Sequence, residues 1–203
     1  VEQTPLQRQL AGRTRKPTAL DAFKRARADF LAGRRIDLRS LAAELGVSRV
    51  TLYRWVGTRE QLLVEVIWSL TEQTFQDEWQ RLSAEPGPRV PKLMVRLLKA
   101  IWDQPGARRF LEQENDLAMR LLTLSAHGFQ PRLLDLVREK VADDIREGRV
   151  ESPIPLDDLA YTVLRVTESF HYLPTITGEP ADPDRAGRVL GALLMKPGPG
   201  GLA

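Results

Sequence analysis

The 203 residues include no cysteine. Disulfides, thiolate metal sites and thiol nucleophiles are therefore excluded, and the chain suits a reducing compartment. Histidine is almost as scarce, at 2 residues, and His127 and His171 are expected to be structural rather than catalytic or metal-ligating. There is no Gly-x-Ser-x-Gly elbow, no His-Glu-x-x-His zinc motif and no P-loop. An enzyme is thus not the expected class, and neither a cofactor nor a metal is expected. No uninterrupted apolar stretch is long enough to cross a bilayer, and residues 1–20 are polar and basic, unlike a secretory signal. A cytoplasmic protein without a membrane partner is the expectation. Strand-type alternation is also nearly missing, so a sheet is not expected.

What is present is ordinary in amount and uneven in distribution. Hydrophobic residues make up 42% and charged residues 28%, the balance of a globular chain with length for a small domain packed on a larger one. The net charge is only +3, yet residues 1–60 hold 13 of the 30 Lys and Arg against 6 of the 27 Asp and Glu, giving that part +7 and the remainder −4. A basic head on a mildly acidic body points to a polyanion, because neutralising phosphates releases condensed counterions.

Apolar residues recur at helical intervals along most of the chain. Leu20, Phe23, Ala26, Phe30 and Leu31 place a first helix after Thr18, ended by Gly33. Leu38, Leu41, Ala42 and Leu45 follow the N-capping residue Asp37, Gly46 stops that helix, and Ser48 caps another through Trp55. Thr58 and Gln61 have capping-box spacing for a long helix to about residue 82. The prolines of 85–91 force a loop. Further helices are expected over 92–104, 105–113, 116–125, 131–147, 156–176 and 182–195. The fold class is all-α, about nine helices in all: a three-helix N-terminal unit followed by a helical C-terminal domain. The expected divisions are a basic flexible arm at 1–17, a small domain at 18–62, a larger one at 63–196 and a disordered tail at 197–203.

Residues 38–56 carry helix-turn-helix grammar. Leu41, Ala42 and Leu45 pack the first helix, Gly46 supplies the permissive turn, and Val47, Leu52 and Val56 anchor the second. Arg49, Val50, Thr51, Tyr53, Arg54 and Trp55 are left facing outward. Such residues suit a major groove: Arg bonds guanine bidentately, Thr and Val touch a thymine methyl, and Tyr reaches a phosphate. Upstream, Arg13, Arg15 and Lys16 form a short basic arm of the kind drawn into a minor groove, or else a solvated tail.

The stretch 42–63, Ala-Ala-Glu-Leu-Gly-Val-Ser-Arg-Val-Thr-Leu-Tyr-Arg-Trp-Val-Gly-Thr-Arg-Glu-Gln-Leu-Leu, resembles the recognition segment of TetR-type regulators, and the resemblance covers about residues 18–65. It implies that Arg49, Val50, Thr51 and Arg54 approach bases. Tyr53, Trp55 and Arg59 would lie along the phosphate backbone, Thr58 would cap the fourth helix near DNA, and the capping residue Ser48 is counted among the DNA-binding residues. Many members have His-Phe where this chain has Trp55-Val56. The phrases at 12–23, 110–123 and 175–180 are similar to the QsdR-like branch, which is associated with control of lactone degradation, so a lactone or its ring-opened acid is the implied effector.

Effector pockets in helical bundles leave no fixed spacing, so candidates come from polar residues on an otherwise apolar helix. Tyr161, Thr162, Arg165, Glu168, Ser169 and Tyr172 recur in this way, with Arg165 and Glu168 placed either to pair or to face a polar ligand. Trp102, Phe110, Met119, Leu122 and Phe129 are candidates for the apolar wall, with ordinary core packing the competing role for each. Ala186, Val189, Leu190, Leu193 and Leu194 make a stripe wide enough to serve a partner as well as the chain's own core. The resemblance implies a homodimer through the last two helices, a palindromic double-stranded DNA operator, a small-molecule effector and, as the usual output, repression. The rivals are an architectural DNA-binding protein with a filled body and, less in keeping with the motifs, an enzyme.

Overall fold

Thr18 and Asp21 start the first helix as reciprocal caps: Thr18 Oγ1 accepts from Asp21 N at 3.3 Å, and the Asp21 carboxylate accepts from Thr18 N at 2.8 Å. This computed structural model describes residues 16–194 together with Thr4. The expected arm, with Arg13 and Arg15, and the expected tail therefore lie outside the described residues, apart from Thr4, Lys16 and Pro17.

Helix α1 (Ala19–Leu31) buries Ala22, Ala26 and Phe30 against α3 (Arg49–Val56) and α4 (Arg59–Arg81). Leu20 was expected on that face and is 54% exposed instead. It precedes Ala22 by two positions, about 200° around a helix of 3.6 residues per turn. Helix α2 (Leu38–Glu44) is capped by Asp37, whose carboxylate accepts from Ser40 N at 2.8 Å. Gly46 then turns the chain at φ 64°, and Ser48 caps α3 by accepting from Thr51 N at 3.1 Å. Leu52 is fully buried, with Val47 and Val56 packed beside the core. The 23 residues of α4 begin with the Thr58–Gln61 capping box.

The remaining helices are α5 (Val90–Asp103), α6 (Pro105–Gln113), α7 (Asn115–Thr123), α8 (Phe129–Arg146), α9 (Leu156–His171), α10 (Leu173–Ile176) and α11 (Pro183–Leu194). A single 3-10 turn at Ser125–His127 precedes α8. Among the described residues there is no strand. The helix expected over 156–176 is interrupted at Tyr172, because Pro174 has no N–H to donate and opens a new turn instead.

The core runs through the buried Phe75 of α4, Leu93 and Met94 of α5, Leu121 of α7, Leu159 and Leu164 of α9, and Leu190 and Leu194 of α11. Each such side chain contributes about 1.5–3 kcal/mol on leaving water. Helix α11 lies along α5 and α9, and Gly187 allows the closest approach: a Cβ there would stand 2.5 Å from Val95 Cγ2. The expected dimer stripe is divided by this packing. Ala186, Leu190 and Leu194 are buried within the protomer itself, whereas Val189 is 43% exposed and Leu193 half-buried. The i, i+4, i+8 row serves the chain's own core, and only the adjacent row remains outside.

Candidate DNA-binding surface and effector cavity

Helix α3 stands on the surface with Ser48, Arg49, Val50, Tyr53 and Arg54 exposed and Thr51 half-buried. Val50 is 70% and Tyr53 52% exposed, which no packing within the chain explains. Arg49 and Arg54 have no hydrogen-bond or ion-pair partner among the described residues, and Lys16 and Thr58 are exposed as well. Several arginines away from α3 are engaged, among them Arg25, which pairs with Glu44 at 2.8 Å, and Arg34, which pairs with Asp29 at 2.6 Å. Arg39, exposed on the first turn of α2, is like Arg49 and Arg54 in making no side-chain hydrogen bond or ion pair among the described residues. Sequence reasoning passed over it, although a basic residue on the helix preceding a recognition helix is a usable signal.

Two residues expected on DNA are placed otherwise. Trp55 is half-buried and packs against the core. Arg59 turns inward: its Nε donates to Ile36 O at 2.8 Å and its Nη2 to Glu114 at 2.9 Å, with the side chains only 17% and 14% exposed. A carboxylate in reach at the junction of α6 and α7 outcompetes solvent for the guanidinium.

The second feature is a cavity of about 250 Å³ in the helical body. Its walls are Ile67, Leu70, Thr71 and Thr74 of α4, Met94, Leu97, Leu98 and Ile101 of α5, and Ala107, Phe110 and Leu111 of α6. Leu122, Phe129, Leu133, Leu164, Thr167, Glu168, His171 and Tyr172 close it. Phe30 and Leu31 of α1 also line it, so the helix that carries α3 is part of the cavity wall. Phe110, Leu122, Phe129, Glu168 and Tyr172 are thus brought together as expected neighbours. Met119, Tyr161, Thr162, Arg165 and Ser169 are not in the wall.

The reason lies in helix rotation. Thr167, Glu168 and His171 make the inward row of α9, while Tyr161 and Ser169 are exposed and Thr162 donates to Asp158 O. Arg165 is taken by Glu168 in an ion pair. Trp102 lines a smaller side pocket instead, together with Glu112, Asn115, His171, Tyr172 and Thr175. His171, expected to be structural, stands between the two spaces and lines both.

Burial disfavours charge on this wall. It lowers the His171 pKa to about 4 and pushes the Tyr172 phenol well above its ordinary value. Burial also raises the Glu168 pKa, against the pull of Arg165. The histidine has a consequence for stability. In the unfolded chain it titrates near 6.5, so between pH of about 6.5 and 4 the unfolded state binds more protons. Its contribution is present above pH of about 6.5 and is lost as pH falls through the folded value, up to about 3 kcal/mol for a shift of this size. Glu168 acts in the opposite sense, contributing below its unfolded pKa and losing that contribution as pH rises through its folded one. Urea denaturation at pH 7 and 4.5 is expected to show wild type losing roughly 2–3 kcal/mol more than His171→Phe, both proteins retaining Glu168 and Glu112. Equal losses would mean that the imidazole is protonated in place.

Helix α6 connects the cavity to α1–α3. Gln104 Oε1 accepts from Ala107 N at 2.6 Å and caps α6, while its Nε2 donates to Leu31 O at the end of α1 at 2.9 Å. Phe110 meets Phe30 edge-on, with ring centroids 6.4 Å apart. Glu114, after the last residue of α6, holds Arg59 at the start of α4.

Among the described residues all regular structure is helical, and a short basic helix with unpaired arginines stands proud of a body containing an apolar cavity. The class so defined is a helix-turn-helix DNA-binding transcriptional regulator. The chain belongs to the TetR family: the profile described as "Tetracyclin repressor-like, C-terminal domain" matches residues 87–195. No curated protein sequence matches it significantly. Among solved structures it is similar to the transcriptional repressor QsdR of R. erythropolis, from the TetR family, at TM-score 0.76 and 24% identity over 87% of this chain and 93% of that one. It is also similar to the multidrug binding protein EbrR complexed with imidazole, at TM-score 0.53 and 18% identity over 96% of this chain and 93% of that one. Among the described residues no helix is long and apolar enough to cross a membrane.

Proposed function

We propose that the chain is a homodimeric repressor that releases a palindromic operator when a small molecule enters the cavity. The observation that carries the DNA half is α3 itself: Val50 and Tyr53 exposed beside Arg49 and Arg54, both cations without a partner among the described residues. Arg49, Val50, Thr51 and Arg54 face base edges in this reading. Ser48, Tyr53, Thr58, Arg39 and Lys16 serve phosphates, joined by Arg13 and Arg15 if the arm follows the minor groove. Trp55 supports α3 from behind, and Arg59 belongs to the link with the body.

The division falls near residue 62, within α4, which runs from the head into the cavity wall. A ligand pressing on Phe110 acts on Phe30 directly and, through α6, on both Gln104–Leu31 and Glu114–Arg59. Either movement tilts α3. In a dimer that reads successive major grooves, about 34–36 Å apart, a tilt of each head disfavours the bound state. The exposed row of α9 and α11, with Tyr161, Ser169, Val189 and Leu193, is the surface left for the partner. That the R. erythropolis neighbour is a repressor and the second a multidrug binding protein supports both halves, and the QsdR-like phrases favour a lactone or a derived acid as effector. The cavity weighs against an architectural protein with a filled body.

A gel shift against the DNA flanking the chain's own gene, at stated salt and with scrambled competitor, tests this. Arg49→Ala and Arg54→Ala are each expected to cost about 1–3 kcal/mol of operator affinity, whereas Arg25→Ala, on an arginine already paired with Glu44, leaves it nearly unchanged. Folded wild type that prefers no duplex even at low ionic strength would end the proposal.

A further inference from the structure

Several buried side-chain nitrogens near the cavity have no hydrogen-bond partner among the described residues: two of Arg165, one of His171 and one of Trp102. His171 is 7% exposed and its Nδ1 has no hydrogen bond; the indole Nε1 of Trp102 is likewise shut from water and unpaired. Their rings are 5.9 Å apart, and both residues line the side pocket that opens beside the main cavity. An unmade hydrogen bond in such a place is costly, so a partner from outside the chain is worth more here than at a solvated site. Indole N–H can only donate, while a neutral imidazole nitrogen accepts or donates according to its tautomer.

We infer that the two spaces hold one ligand, an uncharged amphiphile whose apolar tail fills the main cavity and whose head, in the side pocket, carries both a hydrogen-bond acceptor for Trp102 Nε1 and a donor for His171 Nδ1. The inference rests on the proposed effector role of the cavity and departs from the lactone or derived acid favoured there, since a simple lactone brings no donor and an acid brings a charge.

Three observations bear on the head. Among the described residues no Lys or Arg lines either space, and Arg165, paired with Glu168, stands outside both linings, so no cation is in the wall to receive an acid. Glu112 lines the side pocket and disfavours an anion further. His171 is held neutral by burial, so it offers no charge of its own. An anionic head would lose its hydration here without an opposite charge in return, and an ammonium, which only donates, would leave the Trp102 indole N–H without an acceptor. For the tail, the 250 Å³ of the main cavity corresponds to roughly eight waters at about 30 Å³ each, room for a medium-length alkyl chain. An amide meets the head requirement with one carbonyl and one N–H.

The test uses the free full-length protein without DNA and a series sharing one tail: octanamide, N,N-dimethyloctanamide, methyl octanoate, octanoate and octylamine. Calorimetry is expected to show octanamide binding at least about tenfold more tightly than each of the others. The indole N–H resonance of Trp102, assigned by its loss in Trp102→Phe, is expected to shift with octanamide and to stay in place with octylamine. In Trp102→Phe, octanamide is expected to lose most of its advantage over methyl octanoate, with circular dichroism showing that the variant folds. Octanoate or octylamine binding as tightly as octanamide overturns the inference, as does a stationary Trp102 resonance under saturating octanamide. So does the absence of binding across the series. Operator release is a separate measurement, so loss of this inference and loss of ligand control over DNA are told apart.

Discussion

Asp144→Ala is expected to destabilise the protein by about 3–5 kcal/mol, the largest loss for any single truncation outside the apolar core. Asp144 is fully buried, and its carboxylate takes three donors from the far side of the loop that precedes α5. Arg89 N donates at 2.7 Å, Val90 N at 3.0 Å and Arg89 Nε at 2.8 Å. It therefore serves as a remote cap for α5, whose first residues have no side-chain cap of their own. The guanidinium it holds is 5% exposed, lies 4.0 Å from the ring centroid of Trp79 and also donates to Glu147. Removing the carboxylate leaves a buried cation with one partner fewer and two backbone N–H groups with none. Urea denaturation of Asp144→Ala, Arg89→Met and the double variant checks this. The double variant is expected to recover part of the loss, because no unpaired charge remains. A cost below about 1 kcal/mol for Asp144→Ala would show that water enters and replaces the carboxylate. The knot also matters to function, since α5 and α8 carry Met94, Leu97, Phe129 and Leu133 into the cavity wall.

Features set by neighbouring residues were legible in the sequence. Thr18, Asp37, Ser48 and Thr58 each lie where a helix begins, and Gly33 and Gly46 adopt φ of 71° and 64° after α1 and α2. Caps and turns act over three or four residues, so the chain alone displays them. Long-range pairings were not legible. Arg59 resembles a phosphate ligand by position, yet Glu114, 55 residues onward, takes it. The cavity draws on α1 and on α4 through α9, and no spacing along the chain announces that Phe30 and His171 share a wall. On α9, five polar positions were visible as candidates, but which row faces inward is decided by the packing of α8 and α11. A polar residue inside an apolar row, such as Thr71 or Thr167, was the signal available and was passed over.

Gly106→Ala is expected to separate the DNA-binding helices from the body. The second residue of α6 passes so close to the end of α1 that a Cβ would stand 1.7 Å from Phe30 O and 2.7 Å from Phe30 C. Both atoms are backbone, so no side-chain rotation relieves the overlap, and either α1 or α6 has to shift by more than an ångström. Local propensity favours the substitution, since Ala is about 1 kcal/mol better than Gly within a helix, yet an overlap of this kind in a packed region costs on the order of 3 kcal/mol. The displacement falls on the Gln104–Leu31 hydrogen bond, 2.9 Å long, and on the Phe30–Phe110 contact. Operator affinity is therefore expected to fall roughly tenfold or more at a lowered Tm, with ligand less able to change what affinity remains. Gly46→Ala is the control. Its backbone sits at φ 64° and its Cβ would meet nothing within 4 Å, so only conformational strain of about 1 kcal/mol is added. Gly106→Ala with wild-type operator affinity and an unchanged ligand response would mean that the close approach of α6 to α1 carries no signal, leaving Glu114–Arg59 as the remaining route between cavity and α3.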